Sequence, residues 1–587
     1  MDKPRDLDTF HLFAKPERKH EWETRAAALR TRIQLACGLL PDRRKCPLDP
    51  ITTSTFESDG IRIENIAIQT LSGFWLCGNV YRPLSGGPFP AIVNPHGHWA
   101  DGRRTREADV PRNPKGDRLA AGKADLVQLA VSLARQGFLV FAYDMVGYND
   151  TLQAGHGMAG TTTDWMWGVN LLGLQTWNSI RTLDYLESRP DVDRKRIGVT
   201  GASGGGTQAF ILAAIDKRVQ CSVPVNMVST TMQGGCLCEN APGLRVDTDN
   251  VEFAALFAPK PQFLVSCLGD WSKTTPTVEG PAIRNVYQLY GATESISWDQ
   301  FPYGHNYNRE SREAMTKWMC RWLQRRPDAD VTEHPTTLNP ERLRVFPSKR
   351  NVGLQSEKAV VAALHAQASS ERKRFIARGI RGSRKWRDDA IRWLQTSLAV
   401  VPPSVLQSTT GGDAIIAVGR EALHAARAAV KAGTSVIDID ISSIGSGIDH
   451  WKSYHSTYNR PVIGQKVAAI IDAWAKAQAT HVRVSFVGLG DDAPLVVLAA
   501  ALLGGKLTGK VYADFQSIDT DSDAYWASDR YAPGLRAIGD VHTAALLLRD
   551  NGSQLFGVRD VRSWTGCDQI VTNKPFDIGL LTPLART

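Results

Sequence analysis

The sequence predicts an α/β fold: a mostly parallel, doubly wound sheet with helices on both faces, followed by a second, weaker version of the same alternation. Three observations carry this expectation. Short apolar runs alternate with amphipathic stretches at helical spacing between residue 61 and about residue 325. A glycine-flanked serine stands between one such run and the helix after it. The alternation then resumes after about residue 399 with matching landmarks.

Residues 1–60 read as a helical N-terminal leader in which Leu29, Ile33 and Leu40 share one face of the stretch 22–40. Residues 63–68 and 74–80 alternate with the period of paired strands, and 91–94 is a buried run that ends at Pro95. A helix at 126–135 puts Leu126, Leu129, Ala130 and Leu133 on one side and leads into a strand at 138–143. The helix at 174–187 and the strand at 196–200 come next, followed by elements at 262–266, 282–290, 296–301 and 310–323. Together they define a first domain over 61–326. Residues 327–398 read as a linker, polar and proline-bearing through 327–347, followed by basic helices.

Residues 399–587 form the second domain. In the first domain Gly173-Leu174-Gln175 opens the helix before the strand and turn Gly198-Val199-Thr200-Gly201-Ala202-Ser203. In the second, Ile463-Gly464-Gln465 opens the helix before Val484-Ser485-Phe486-Val487-Gly488-Leu489-Gly490. The runs Phe141-Ala142-Tyr143-Asp144 and Ile437-Asp438-Ile439-Asp440 also correspond. Gly490 then stands where the first copy has Ser203, so the second copy lacks the hydroxyl and is expected to be structural or substrate-shaping. An independent binding domain is the other reading of this half.

The chain has 587 residues, of which 43% are apolar and 22% charged, as in soluble globular proteins. No apolar run reaches the roughly 20 residues that a bilayer requires, which argues against a membrane role. The formal charge of +9 owes much to a basic stretch between Arg342 and Arg387, a pattern typical of a solvated helix face. No nucleic-acid-binding motif accompanies it, so no nucleic-acid partner is expected, and the sequence leaves the oligomeric state open. The start Met1-Asp2-Lys3-Pro4-Arg5-Asp6 has no apolar stretch. That leaves two compartments: secreted or periplasmic after loss of a signal peptide, or cytoplasmic. Nine scattered cysteines do not form a disulfide framework, although an exported protein leaves room for a Cys37–Cys46 bridge. Cys236 and Cys238 lack a second pair at zinc-ligand spacing, so no metal or other cofactor is expected.

The strongest local signal is Gly201-Ala202-Ser203-Gly204-Gly205, a G-x-S-x-G turn after a strand and before a helix. Such a turn is strained, lifts the serine hydroxyl above the sheet and leaves room for close backbone approach. The N–H of Gly204 would sit at a helix N-terminus, where it can stabilise an oxyanion. A nucleophilic serine needs an acid and then a histidine later in the chain. Asp270, after the strand at 262–266, is the candidate acid, with Glu279 as competitor, and His305 after the strand at 296–301 is the candidate base. The second oxyanion donor is expected from Pro95-His96-Gly97-His98-Trp99, as the backbone N–H of His98. His96 and His98 with Asp101 are the alternative metal-binding reading of that turn. Trp99 and Trp165 are expected to line the cleft, with core packing as the alternative.

At these residues the chain resembles bacterial α/β-hydrolases grouped with the acetylxylan esterases and related carbohydrate esterases. The resemblance rests on His96-Gly97-His98-Trp99-Ala100-Asp101-Gly102, Thr200-Gly201-Ala202-Ser203-Gly204-Gly205-Gly206-Thr207-Gln208, Gly269-Asp270-Trp271-Ser272-Lys273 and His305-Asn306-Tyr307-Asn308. It covers roughly residues 22–323, and the region after about Pro402 is similar to the degenerate second hydrolase-like domain of some members. The resemblance implies Ser203, Asp270 and His305 as a triad, and an O-acyl carbohydrate or similar small-molecule ester as substrate. Glu239, in the familiar segment Cys236-Leu237-Cys238-Glu239-Asn240, is expected to bond a sugar hydroxyl. Two other classes compete with a serine esterase: a prolyl-oligopeptidase-type serine peptidase and a non-catalytic binding protein that keeps the fold. The first would need propeller repeats, which the sequence does not show.

Overall fold

The computed structural model of the chain describes residues 4–11, 13–109, 112, 124–346, 353–354, 356–405, 407–430, 433–445, 454–577 and 580–581. Met1-Asp2-Lys3 at the start of the expected leader and Pro347 at the end of the expected polar segment lie outside the described residues.

Nine strands form the first sheet: β1 Ile51–Ser58, β2 Ile61–Leu71, β3 Phe74–Pro83, β4 Phe89–Pro95, β5 Leu139–Tyr143, β6 Val192–Ala202, β7 Val219–Val225, β8 Gln262–Gly269 and β9 Ile296–Gly304. Their order is β1-β2-β3-β5-β4-β6-β7-β8-β9. The first three form an antiparallel meander, β3 lies antiparallel to β5, and β5 onward is parallel. The parallel strands β4 and β5 are buried along their whole length, as expected where helices cover both faces of a sheet. From β4 the chain crosses to β5 on one side and then to β6 on the other. The loops after β4 and β6 therefore meet at a switch point, where open α/β sheets form their ligand crevice. With the meander at one edge and the serine turn after β6, this is the α/β-hydrolase fold.

Helix ends follow local chemistry. The helix Leu126–Arg135 starts where the Asp125 carboxylate accepts the Gln128 N–H, and Leu171–Ser188 starts where Asn170 accepts the N–H of Gly173. The loop after β4 is fixed from below by Arg103, which is fully buried. Its guanidinium bonds Asp144, Asp150 and Asn79, so the charge is compensated on all sides.

Two expectations about the chain's connectors change. The leader is part of the fold: the helix Lys19–Ala36 buries Trp22, Leu29 and Ile33, and residues 51–58 form the edge strand β1. That strand, Ile-Thr-Thr-Ser-Thr-Phe-Glu-Ser, is mostly exposed, so it lacks the apolar alternation by which half-buried strands are recognised. The expected linker is a strap across the sheet. Leu338 and Leu343 join the core, Asn65 donates to the carbonyls of Arg342 and Arg344, and Glu333 pairs with Arg312.

The basic helices are Glu357–Ile380 and Arg384–Leu398. Beyond them β10 Asp413–Val418, β11 Ser435–Ile439, β12 Arg483–Leu489, β13 Val511–Asp514 and β14 Gln554–Phe556 form a second, wholly parallel sheet in the order β11-β10-β12-β13-β14. This repeats, strand for strand, the order β5-β4-β6-β7-β8 of the first sheet. The second unit packs on loops near the first switch point. Backbone bonds run from Gly243 to Ser456, from Arg245 to Thr457, and from Gly534 to Trp165.

Candidate active site

Ser203 links β6 to the helix Gly204–Ile215 with φ 58° and ψ −127°, a conformation that non-glycine residues rarely hold. The glycines around it are demanded by contact. A Cβ on Gly205 would lie 2.3 Å from the Pro95 carbonyl oxygen, and one on Gly201 would lie 2.5 Å from the same atom. A Cβ on Gly97 would lie 2.9 Å from that of Ser203, so the loop after β4 runs directly against the serine. The Ser203 N–H is itself held by the Val225 carbonyl at 3.1 Å.

His305 and Asp270 meet as expected, with Nδ1 donating to Oδ2 over 2.9 Å. The other carboxylate oxygen of Asp270 accepts both the backbone N–H and the hydroxyl of Ser272. Asp270 is thus buried, fully bonded, and fixed in orientation. Glu279, the competing acid, is also buried, but its Oε1 is taken by Thr230 and Thr274. Ser203 Oγ and His305 Nε2 are not hydrogen-bonded to each other among the described residues; such contacts commonly tighten only when substrate binds. Trp271 supports the His305 ring at a centroid distance of 4.3 Å and is anchored through its indole N–H to the Asn226 carbonyl. Sequence reasoning overlooked this tryptophan, although it stands next to the predicted acid.

Neither the His98 nor the Gly204 backbone N–H has an acceptor among the described residues. The His98 ring lies over the serine turn, 3.0 Å from where a Gly204 Cβ would be. The His96–His98–Asp101 metal reading fails. His96 is buried, its Nδ1–H donates to the Gly97 carbonyl, and its Nε2 accepts the Met145 N–H. Both ring nitrogens are therefore committed, and burial pushes its pKa down to about 3.

The expected substrate contacts also move. Trp99 is buried, in the core cluster that also holds Ala202 and Tyr307. Trp165 is buried against Tyr531 of the second unit and lines a cavity with Met158, Leu237 and Tyr454. Glu239 is 3% exposed, and its carboxylate accepts the N–H groups of Gly235 and Cys236, so it braces its own loop instead of facing a sugar. The Cys37–Cys46 bridge is not formed: the Cys37 thiol lies against the Thr176 hydroxyl and that of Cys46 against the Gln69 carbonyl.

Beside the serine turn the fold gathers His98, His156, Cys236 and Cys238, a grouping with no signal in local spacing. The Cys236 thiol is held down to about 2, chiefly by donation from Cys238 and against the opposing effect of burial, with His156 and His98 adding to it.

Several known proteins are similar to parts of this chain. The family model for fungal glucuronyl esterases matches residues 148–238, the span that contains Ser203. "Putative hydrolase YtaP" of Bacillus subtilis (strain 168) is 26% identical over 315 residues, covering 49% of this chain and 96% of that protein. A 4-O-methyl-glucuronoyl methylesterase of Podospora anserina is 26% identical over 220 residues, covering 37% of this chain and 40% of the relative. The chain thus spans less than half the length of that curated esterase. Among solved structures, Methylesterase BT1017 is 29% identical with a TM-score of 0.49, covering 61% of this chain and 78% of that one.

Proposed function

We propose that this carbohydrate-esterase-like α/β-hydrolase cleaves carboxylic esters carried on carbohydrates through an acyl-enzyme on Ser203. The observation that carries the reading is a histidine whose Nδ1–H is fixed by a buried, fully bonded aspartate, in a fold that also holds Ser203 at positive φ on the turn after β6. His305 takes the Ser203 proton as the hydroxyl attacks the ester carbonyl, and the N–H groups of Gly204 and His98 receive the oxyanion. His305 then returns the proton to the departing alcohol, and water hydrolyses the acyl-enzyme by the same route.

The finer assignment is an ester of a uronic acid, in which the sugar supplies the acyl group and a small alcohol leaves. The names of the similar methylesterases and the family-model match around Ser203 support it. O-acetyl sugars, the class the sequence resemblance implied, are the second reading. Turnover of methyl glucuronate, benzyl glucuronate and acetylated xylan by the wild type and by Ser203→Ala tests both. Release of alcohol from the uronate esters, lost in the variant, supports the first. Release of acetate alone supports the second, and turnover that survives in Ser203→Ala refutes the nucleophile.

The second unit is a degenerate copy of the first. Gly490 follows β12 with φ 59°, close to the φ of Ser203, and precedes the buried helix Ala493–Leu503. The turn survives there without its hydroxyl, and the unit's role is to hold the loops around residues 165 and 243.

A further inference from the structure

The loops after β4, β5 and β7 each extend beyond the sheet, and they converge beside the serine turn. The first brings His98, the second His156, and the third Cys236 and Cys238. One ligand atom from each of the four residues lies within 4.8 Å of all the others. His98 Nε2 stands 2.9 Å from Cys238 Sγ, and His156 Nε2 stands 3.5 Å from Cys236 Sγ. The two imidazoles are steeply inclined, at 70° with centroids 5.1 Å apart, so their nitrogens reach one point from different directions. The esterase chemistry uses none of these four side chains.

The surroundings shape the cluster. His156 Nδ1 donates to the Val146 carbonyl at 2.8 Å, which fixes the tautomer and leaves the Nε2 lone pair facing the sulfurs. A backbone carbonyl behind a ring nitrogen is the usual support of a metal-bound histidine. Gly147, at φ 87°, lets the His156 backbone approach so closely that a Cβ there would lie 2.2 Å from the His156 nitrogen. On the opposite side Glu239 holds the N–H groups of Gly235 and Cys236 at 2.8 and 3.1 Å, and Asn240 holds the carbonyls of Gly234 and Cys236.

The geometry points to a closed, four-coordinate zinc site made by His98, His156, Cys236 and Cys238, which clips the loop after β4 to the loops after β5 and β7. Two thiolates and two imidazoles are the donor set that selects zinc, and four protein ligands leave no open position, which makes the site structural. Tetrahedral zinc with Zn–S near 2.3 Å and Zn–N near 2.0–2.1 Å needs ligand atoms roughly 3.3–3.8 Å apart, a small adjustment from the observed spacings. Zinc takes the sulfurs as thiolates and the rings as neutral imidazoles, so any proton that a ligand atom still holds leaves to solvent on binding. The sequence expectation of no metal rested on spacing along the chain; the ligands come from three loops.

A consequence rests on the esterase reading: the clip fixes His98, whose backbone N–H is the proposed oxyanion donor. Zinc loss should then lower kcat by about 10²–10³-fold with little change in KM, as for loss of one such donor.

The test uses the full chain, purified without a polyhistidine tag or chelator, and measures metal by inductively coupled plasma mass spectrometry. About one zinc per chain is expected in the wild type and in Ser203→Ala, and essentially none in Cys236→Ser/Cys238→Ser. Exchange of zinc for cobalt should produce thiolate-to-cobalt charge-transfer bands and intense tetrahedral ligand-field bands. His156→Cys, which keeps four ligands, should retain the metal and covers the case in which the double variant does not fold. The proposal is overturned if the wild type neither contains zinc nor shows thiolate bands with cobalt. Retention of zinc by the folded double variant would overturn it equally, as would a Cys236–Cys238 disulfide in the non-reduced protein. Zinc content in Ser203→Ala does not depend on turnover, so failure of the metal reading and failure of the esterase reading are told apart.

Discussion

Replacing Asp270 by asparagine tests the site through the proton inventory of one hydrogen bond. Oδ1 of Asp270 accepts two donors, the Ser272 N–H and hydroxyl, while Oδ2 accepts the His305 Nδ1–H at 2.9 Å. An asparagine must give its carbonyl to Ser272, because its amide nitrogen cannot accept. The NH₂ group then faces His305 and donates to Nδ1, which forces the proton onto Nε2. A ring protonated at Nε2 cannot take the Ser203 proton. The geometry survives, the tautomer is wrong, and the expected loss is about 10⁴-fold in kcat, or ~5 kcal/mol of barrier. The assay is steady-state hydrolysis of p-nitrophenyl acetate, with circular dichroism to confirm folding. Adding Ser272→Ala removes one of the two donors that fix the amide, so Asp270→Asn/Ser272→Ala should recover part of the rate. If Asp270→Asn stays within tenfold of wild type while Glu279→Gln is inactive, the acid is misassigned and the argument fails.

The other expectations follow from single contacts. A fluorophosphonate should label the wild type once, lose that label in Ser203→Ala, and keep it in Ser266→Ala, whose hydroxyl is engaged with the Asp299 carbonyl; labelling unaffected by Ser203→Ala would place the nucleophile elsewhere. Gly490→Ser should create no second labelled site, because Gln516 Oε1 lies 2.8 Å from the new Cβ position; two labels per chain would contradict the degenerate reading. Burial lowers His96 from an ordinary 6.5 to about 3, so between those values the unfolded chain binds a proton there that the folded chain refuses. Stability should therefore fall as pH drops through that window, by up to ~1.4 kcal/mol per pH unit from this group. His96→Gln keeps one donor and one acceptor and should flatten the dependence in urea titrations at pH 4 to 7; an unchanged slope would refute the assignment.

Much of this was legible because some residues report their conformation locally. A serine among glycines, after an apolar run and before a helix, has few backbone solutions, and Ser203 adopts the one that was read. Asp270 and His305 were found from chain order and from their places after strands, since the ends of parallel strands are where such a sheet presents side chains. Failures came where local pattern carries little information. β1 is an exposed edge of threonines and serines, and residues 327–346 look like a linker because few of them are apolar, yet Leu338 and Leu343 bury into the sheet's core. The orientation of Glu239 was equally illegible, because one carboxylate can face a ligand or cap its own loop.

The sequence alone determined the alternation of strand and helix, the glycine-flanked serine turn and the absence of a hydroxyl at Gly490, each written within a few consecutive residues, and it ordered the candidate acid and base along the chain. Only the tertiary structure decided that Asp270 and not Glu279 meets His305, that Trp99 and Trp165 are buried, and that His98, His156, Cys236 and Cys238 share one point. Those outcomes depend on how loops from distant strands pack at the switch point of the sheet. Contacts of that kind are fixed by the register and crossing of the strands, which no local spacing encodes.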